Sequence, residues 1–221
     1  MLAPPNPWFS TKFYSQNKDL IVSALEEHVI ITLATVVIAV AISLLLALLV
    51  RRSRWLSGAV LGVEGIIYTI PSLALFALVT PLFGLSKTTV VFGLVLYALL
   101  ILTRNILVGL AGVPADVREA ATGMGYGRTG LLWRVELPIA LPAIMAGVRT
   151  ATVSTIALVT VGAVVGYGGL GSLILQGYNN NLYRAEMACG TVGCLLLALV
   201  ADLLLVGLTR VLSPWSKGRQ A

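Results

Sequence analysis

Charge is scarce in this sequence. Lysine, arginine, aspartate and glutamate make up 11% of the 221 residues, where a soluble domain carries roughly 25%. That shortage, with 58% hydrophobic residues and a mean hydropathy of +0.96, excludes a disordered chain and a nucleic-acid-binding domain and points to a polytopic membrane protein. Histidine occurs once, as His28, and cysteine twice, as Cys189 and Cys194. Two cysteines in an apolar stretch exclude a disulfide scaffold and read as small packing residues. A lone histidine without a second histidine or a carboxylate cluster excludes a metal site, and its place at a membrane boundary predicts an interfacial polar residue. No Walker A sequence is present. Ser86-Lys87-Thr88 resembles its end, but no glycine precedes the lysine. Gly166 to Gly171 spells G-x-G-x-x-G without a βαβ unit around it, so a helix end is the better reading than a dinucleotide site.

What is abundant is long apolar runs. A helix crossing about 30 Å of hydrocarbon needs about 20 mostly apolar residues. Five such runs are predicted: Val29–Val50; Gly65–Ser86, interrupted by Pro71 and Pro81; Thr89–Gly112, with Arg104; Ile139–Val165, with Arg149; and Met187–Thr209, with Asp202. The net charge of +6 then reads as cations flanking the spans. A cytoplasmic C-terminus places Arg51, Arg52, Arg54, Arg118, Arg128, Arg134, Arg210, Lys217 and Arg219 inside, and only Lys12, Lys18, Lys87 and Arg184 outside. The opposite topology reverses that ratio. The predicted organisation is an extracytoplasmic segment over residues 1–28, a transmembrane domain over 29–211 and a cytoplasmic tail over 212–221. The N-terminus is proline-rich and polar, unlike a signal peptide, and Leu20 to His28 is expected to form a short interfacial helix.

Charges inside spans need partners. At 1.5 Å per residue, Arg149 and Asp202 fall at similar depths on neighbouring spans and are expected to pair. Glu64 and Arg104 are expected to pair near the inner face, with snorkelling as the alternative. Span four repeats small residues at Ala143, Gly147, Ala151 and Thr155, a pattern of close helix packing, or of a face that lines the pathway or the permease–permease interface and includes Thr152 and Thr155. Pro71, beside Tyr68, Thr69 and Ser72, marks either a packing kink or a break that lines a pathway.

The longest inside connection runs over residues 113–138. It reads as two short helices around a glycine corner at Gly125 and Gly127, the second spanning Arg128 to Glu136 and ending before Pro138. Within it, Glu119-Ala120-Ala121, three residues, Gly125, nine residues, Val135, one residue and Leu137-Pro138 resembles the EAA signature of type I ABC importer permeases. Only Val135 departs, standing where isoleucine is usual. Three further stretches, Tyr68–Leu75, Val135–Val153 and Gly166–Gly171, resemble osmoprotectant (glycine betaine, carnitine, choline) permeases, whose layout methionine, taurine and phosphonate permeases share.

The resemblance implies an all-α fold of five transmembrane helices in a bacterial cytoplasmic membrane, with the loop serving as a coupling helix. It implies that Glu119, Ala120, Ala121, Gly125, Val135, Leu137 and Pro138 form the ATPase-coupling element. ATP and Mg would belong to a partner ATPase, with no cofactor in this chain. A second permease copy or sister permease and an extracytoplasmic solute-binding protein are the other expected partners. An autonomous channel or secondary transporter is the alternative, and it leaves the loop unexplained. A membrane enzyme would need a nucleophile or acid–base cluster, and none stands out.

Overall fold

The computed structural model describes residues 6–215; Lys217, Arg219 and most of the expected tail lie outside the described residues. Those residues form helices and no strand. Four helices are long and apolar enough to cross a membrane, and the count is five if the bent pair Arg54–Thr69 and Ser72–Phe83 is taken as one broken span.

Helix α1 (Thr11–Gln16) leads into α2 (Lys18–Val50). At 33 residues α2 is about 50 Å long. The expected interfacial helix at Leu20–His28 is its first turns: nothing between Lys18 and Val50 breaks the hydrogen-bond ladder, so the expected boundary between residues 28 and 29 cuts through a helix. The buried stripe of α2 is small and hydroxylic, including Thr32, Thr35, Ala39, Ser43 and Ala47. Leu33, Val37, Leu45 and Leu49 face outward. In a membrane, such small-residue stripes bring helix backbones together, because lipid is as apolar as leucine and gives no hydrophobic drive.

The second span is not one helix. Helix α3 (Arg54–Thr69) and α4 (Ser72–Phe83) meet at 100°. Pro71 has no amide to continue the ladder. Ile70 leaves the helical region, its amide turning back to the Ile67 carbonyl at 3.1 Å. The Tyr97 hydroxyl donates to the freed Ile70 carbonyl. The kink expected at Pro71 is therefore a corner, with the Ile70 carbonyl satisfied from α5 (Lys87–Ala111) and the Pro71 carbonyl accepting from the Leu75 amide at 2.9 Å.

Helix α5 is the centre of the bundle. Val90, Leu94, Ala98, Leu102, Ile106 and Leu110 are all buried, and α5 packs against α2, α3, α4 and α8. After α5 come α6 (Ala115–Gly123), α7 (Arg128–Leu131), a π-helical turn over Leu132–Glu136 and α8 (Leu137–Val159). The helix expected to end before Pro138 instead runs on through it. Pro138 offers no amide to the carbonyl four residues back, and the widened turn stands directly before it.

A 3-10 turn (Thr160–Val165) ends at Gly166, φ +92°, and α9 (Leu170–Asn179) and α10 (Arg184–Leu212) complete the chain. The Gly166–Gly171 stretch packs closely: a Cβ on Gly169 would lie 2.6 Å from the His28 Cβ, and one on Gly171 2.3 Å from the Thr160 Cα. His28 is fully buried there, facing into the bundle and not outward. Its Nε2 lies 3.0 Å from the Ile156 carbonyl and its Nδ1 accepts from the Leu170 amide at 3.3 Å. These partners select the Nε2–H tautomer. At this end, Asn6 also clasps the α9–α10 turn, donating to the Leu182 carbonyl at 2.8 Å and accepting from the Arg184 amide at 2.9 Å.

Candidate functional site

The loop over residues 113–138 folds as a short helix, a glycine turn and the foot of a span. Helix α6 begins after Pro114 and carries Asp116 in its first turn, where a negative charge favours the helix dipole. It ends in a Schellman arrangement: the Tyr126 amide donates to the Ala121 carbonyl at 3.1 Å and the Gly125 amide to the Thr122 carbonyl at 3.0 Å. Gly125 has φ +86°. No atom lies within 4 Å of where its Cβ would stand, so the requirement there is conformational, not spatial. Gly127, by contrast, is ordinary extended backbone.

Helix α6 has two faces. Ala121 is buried against the protein, whereas Glu119, Ala120, Thr122 and Met124 are exposed. Among the described residues Glu119 makes no ion pair. Val135, Leu137 and Pro138 are half-buried at the foot of α8, where Leu137 packs with Ala47, Ile106, Leu110 and Ala140.

Between the two parts of the motif stands a residue to which its sequence pattern assigns no identity. Glu136 is 6% exposed. Arg51, at the end of α2, donates to its Oε2. Arg118, on α6, brings Nε to 3.0 Å from its Oε1 and donates through Nη2 to the Leu110 carbonyl at 2.6 Å. A cavity of about 560 Å3 lies beside this carboxylate, lined by Arg51, Arg52, Arg54, Arg118 and Arg128. In the sequence those arginines mark only the orientation of the spans. The available signal was an acid next to the span foot, amid an excess of inside cations.

The remaining expectations divide. Arg149 Nε lies 2.9 Å from Asp202 Oδ1, and Nη2 3.0 Å from Oδ2, so α8 and α10 are joined by a two-pronged pair. Glu64 and Arg104 are not brought together. Glu64 is buried and accepts from the Thr103 hydroxyl at 2.8 Å, while Arg104 is exposed. Adjacent helical residues point about 100° apart, so the face of α5 that carries Thr103 to Glu64 carries Arg104 away.

Thr152 and Thr155 are buried, and the Thr152 hydroxyl donates to the Val148 carbonyl of its own helix at 2.8 Å. They are not on a free surface, which corrects their reading as pathway residues. The stripe they belong to packs on α5: a Cβ on Gly147 would meet the Asn105 Cβ at 2.5 Å, and one on Gly109 would meet the Ala143 Cβ at 3.0 Å. Tyr68, Thr69 and Pro71 are exposed and Ser72 half-buried at the α3–α4 corner. The Tyr68 ring stands edge-on to Tyr97, centroids 5.7 Å apart.

Residues 28–218 match the family described as binding-protein-dependent transport system inner membrane component. The chain belongs to that family. It is 38% identical over 205 residues, 93% of this chain and 90% of the relative, to the glycine betaine/carnitine/choline transport system permease protein OpuCD of Bacillus subtilis. It is also 38% identical to the osmoprotectant import permease protein OsmW of Salmonella typhimurium, covering 90% of this chain and 94% of that one. The MetNI methionine ABC transporter in inward-facing form shares the fold at a TM-score of 0.81, with 20% identity over 92% of this chain and 99% of that one. An amino acid ABC transporter shares it at 0.75, with 18% identity over 91% and 98%. The all-α type I importer permease expected from the loop is the fold observed. In this transport-system family the chain is a membrane component, and its sites are to be read as transport machinery.

Proposed function

We propose that the chain is the permease subunit of an ABC importer for small compatible solutes of the glycine betaine, carnitine and choline type. The names borne by relatives at 38% identity support the cargo class. The observation that carries the coupling role is the two-faced α6, which buries Ala121 and holds Glu119 and Ala120 outward on a glycine-terminated turn. Small exposed residues admit a partner surface closely, and Glu119 is free to meet a cation on it. That partner is a separate ATPase holding ATP and magnesium; this chain contributes the mechanical part. A second copy or a sister permease completes the pathway, and an extracytoplasmic solute-binding protein delivers the solute.

The chain sits in the bacterial cytoplasmic membrane with its N-terminus outside and its C-terminus inside, since that arrangement puts the arginine-lined cavity and the coupling turn in the cytoplasm. Tyr68, Thr69, Pro71 and Ser72 line the pathway at the broken span. There the exposed Tyr68 ring offers a quaternary ammonium group a π face without a fixed charge that would hold it. The test is uptake of labelled glycine betaine, choline and methionine by the complex reconstituted with its ATPase and binding protein. Uptake of the first two, dependent on ATP, is expected. Uptake without ATP or the partner ATPase overturns the reading, and methionine uptake alone overturns the cargo.

A further inference from the structure

We infer that Glu136 is the joint through which movement of α6 reaches the membrane spans, a positioning residue for transport that the coupling motif leaves unspecified. The inference rests on the proposed ATPase-driven reading. Helix α6 is nine residues long and turns one side away from the protein, so a push on that side moves the spans only where something stiff ties the other side to them. Packing of the single buried side chain Ala121 is small. Among the described residues the one ion pair that leaves α6 is Arg118–Glu136.

That pair does not stand alone. Arg118 also holds the Leu110 carbonyl in the last turn of α5, and Glu136 also receives Arg51 from the last turn region of α2. One guanidinium and one carboxylate thus bind α6 to the ends of α2 and α5 and to the foot of α8. Arg118 serves here as a delocalised charge, with Nη2 donating to the Leu110 carbonyl while Nε stands at ion-pair distance from Glu136, an arrangement the single ammonium of a lysine does not reproduce. The carboxylate is largely buried beside the arginine-lined cavity, so loss of either arginine weakens the compensation of a charge that is mostly withdrawn from solvent. It is also the last residue of the π turn, a helical distortion common at functional sites. The loop therefore moves with three span ends as a unit.

The test uses the full complex of permease, ATPase and binding protein in proteoliposomes. Basal ATP hydrolysis and labelled solute moved per ATP are measured for the wild type, Glu136→Gln, Glu136→Asp and Arg51→Gln. Glu136→Gln keeps the side chain's shape and removes its charge. The expected result is unchanged co-purification of the ATPase, basal hydrolysis within about twofold and solute per ATP lower by about tenfold. Glu136→Asp is expected to recover most of the ratio, and Arg51→Gln, which leaves Arg118 in place, to fall between.

Wild-type solute per ATP in Glu136→Gln overturns the inference. So does loss of the ATPase from the Glu136→Gln complex, which makes the carboxylate a shape-holder for docking. If Glu136→Gln does not accumulate, Arg51→Gln decides: an intermediate ratio supports the joint and a wild-type ratio overturns it. A wild-type complex that carries no solute, or hydrolyses no ATP, instead overturns the proposed function, before any variant is compared.

Discussion

Arg149 and Asp202 meet in parallel across α8 and α10, two nitrogens against two oxygens at 2.9 and 3.0 Å. The pair joins two helices that are otherwise long and apolar enough to cross a membrane. Each charge is tolerated there because the other is present. Asp202→Asn or Arg149→Gln alone leaves an unpaired charge in the spans, whereas the double substitution leaves none. Each single variant is expected to melt at a lower temperature in detergent than the double variant. A double variant no more stable than the singles would show that the pair does not compensate itself.

Gly125 tests conformation apart from space. At φ +86° with open surroundings, alanine there meets no atom but must adopt a left-handed backbone, at about 1–2 kcal/mol. Asparagine tolerates that region better. Uptake is expected to fall in the order glycine, asparagine, alanine, while the amount of folded protein stays level. Equal uptake for all three would show that the turn relaxes without consequence.

Gly171 tests space in the opposite sense. Its added Cβ would stand 2.3 Å from the Thr160 Cα, a backbone atom that cannot swing away. Gly171→Ala is expected to cost about 1–3 kcal/mol or more through overpacking and to reduce the folded yield. Gly207→Ala, with nothing within 4 Å, is the control and should leave yield unchanged. Similar yields for both would mean that α9 can shift off the 3-10 turn.

His28 closes the same end of the bundle. Leucine in its place removes the acceptor of the Leu170 amide and the donor to the Ile156 carbonyl. A buried amide without a partner costs about 1–3 kcal/mol, so His28→Leu should lower the melting temperature. Glutamine, which carries both a donor and an acceptor, should lose less. If the two variants melt alike, the hydrogen bonds are not what holds α2 to α9.

Much of this was readable in order along the chain. Apolar runs of sufficient length marked the crossings, and the depth of Arg149 and Asp202 followed from counting residues at a fixed rise. The turn at Gly125 followed from local backbone chemistry, which depends on a few neighbours only. The corner at Pro71 was visible as a break but not as a 100° turn, because proline removes a hydrogen bond without dictating where the chain goes next. Glu64 shows the failure plainly: its depth matched Arg104, but the face of α5 presented to α3 belonged to Thr103.

The sequence by itself determined the class of molecule, the apolar runs and the motif at the turn, all of which depend on composition and local spacing. Only the tertiary structure decided that Glu136 answers to Arg51, 85 residues away, and that His28 lies against Ile156, 128 residues away. The reason is that membrane helices are apolar on nearly every side, so periodicity does not say which face meets which neighbour. Those choices rest on close approach at small residues and on a few buried polar partners, and both exist only once the helices have come together.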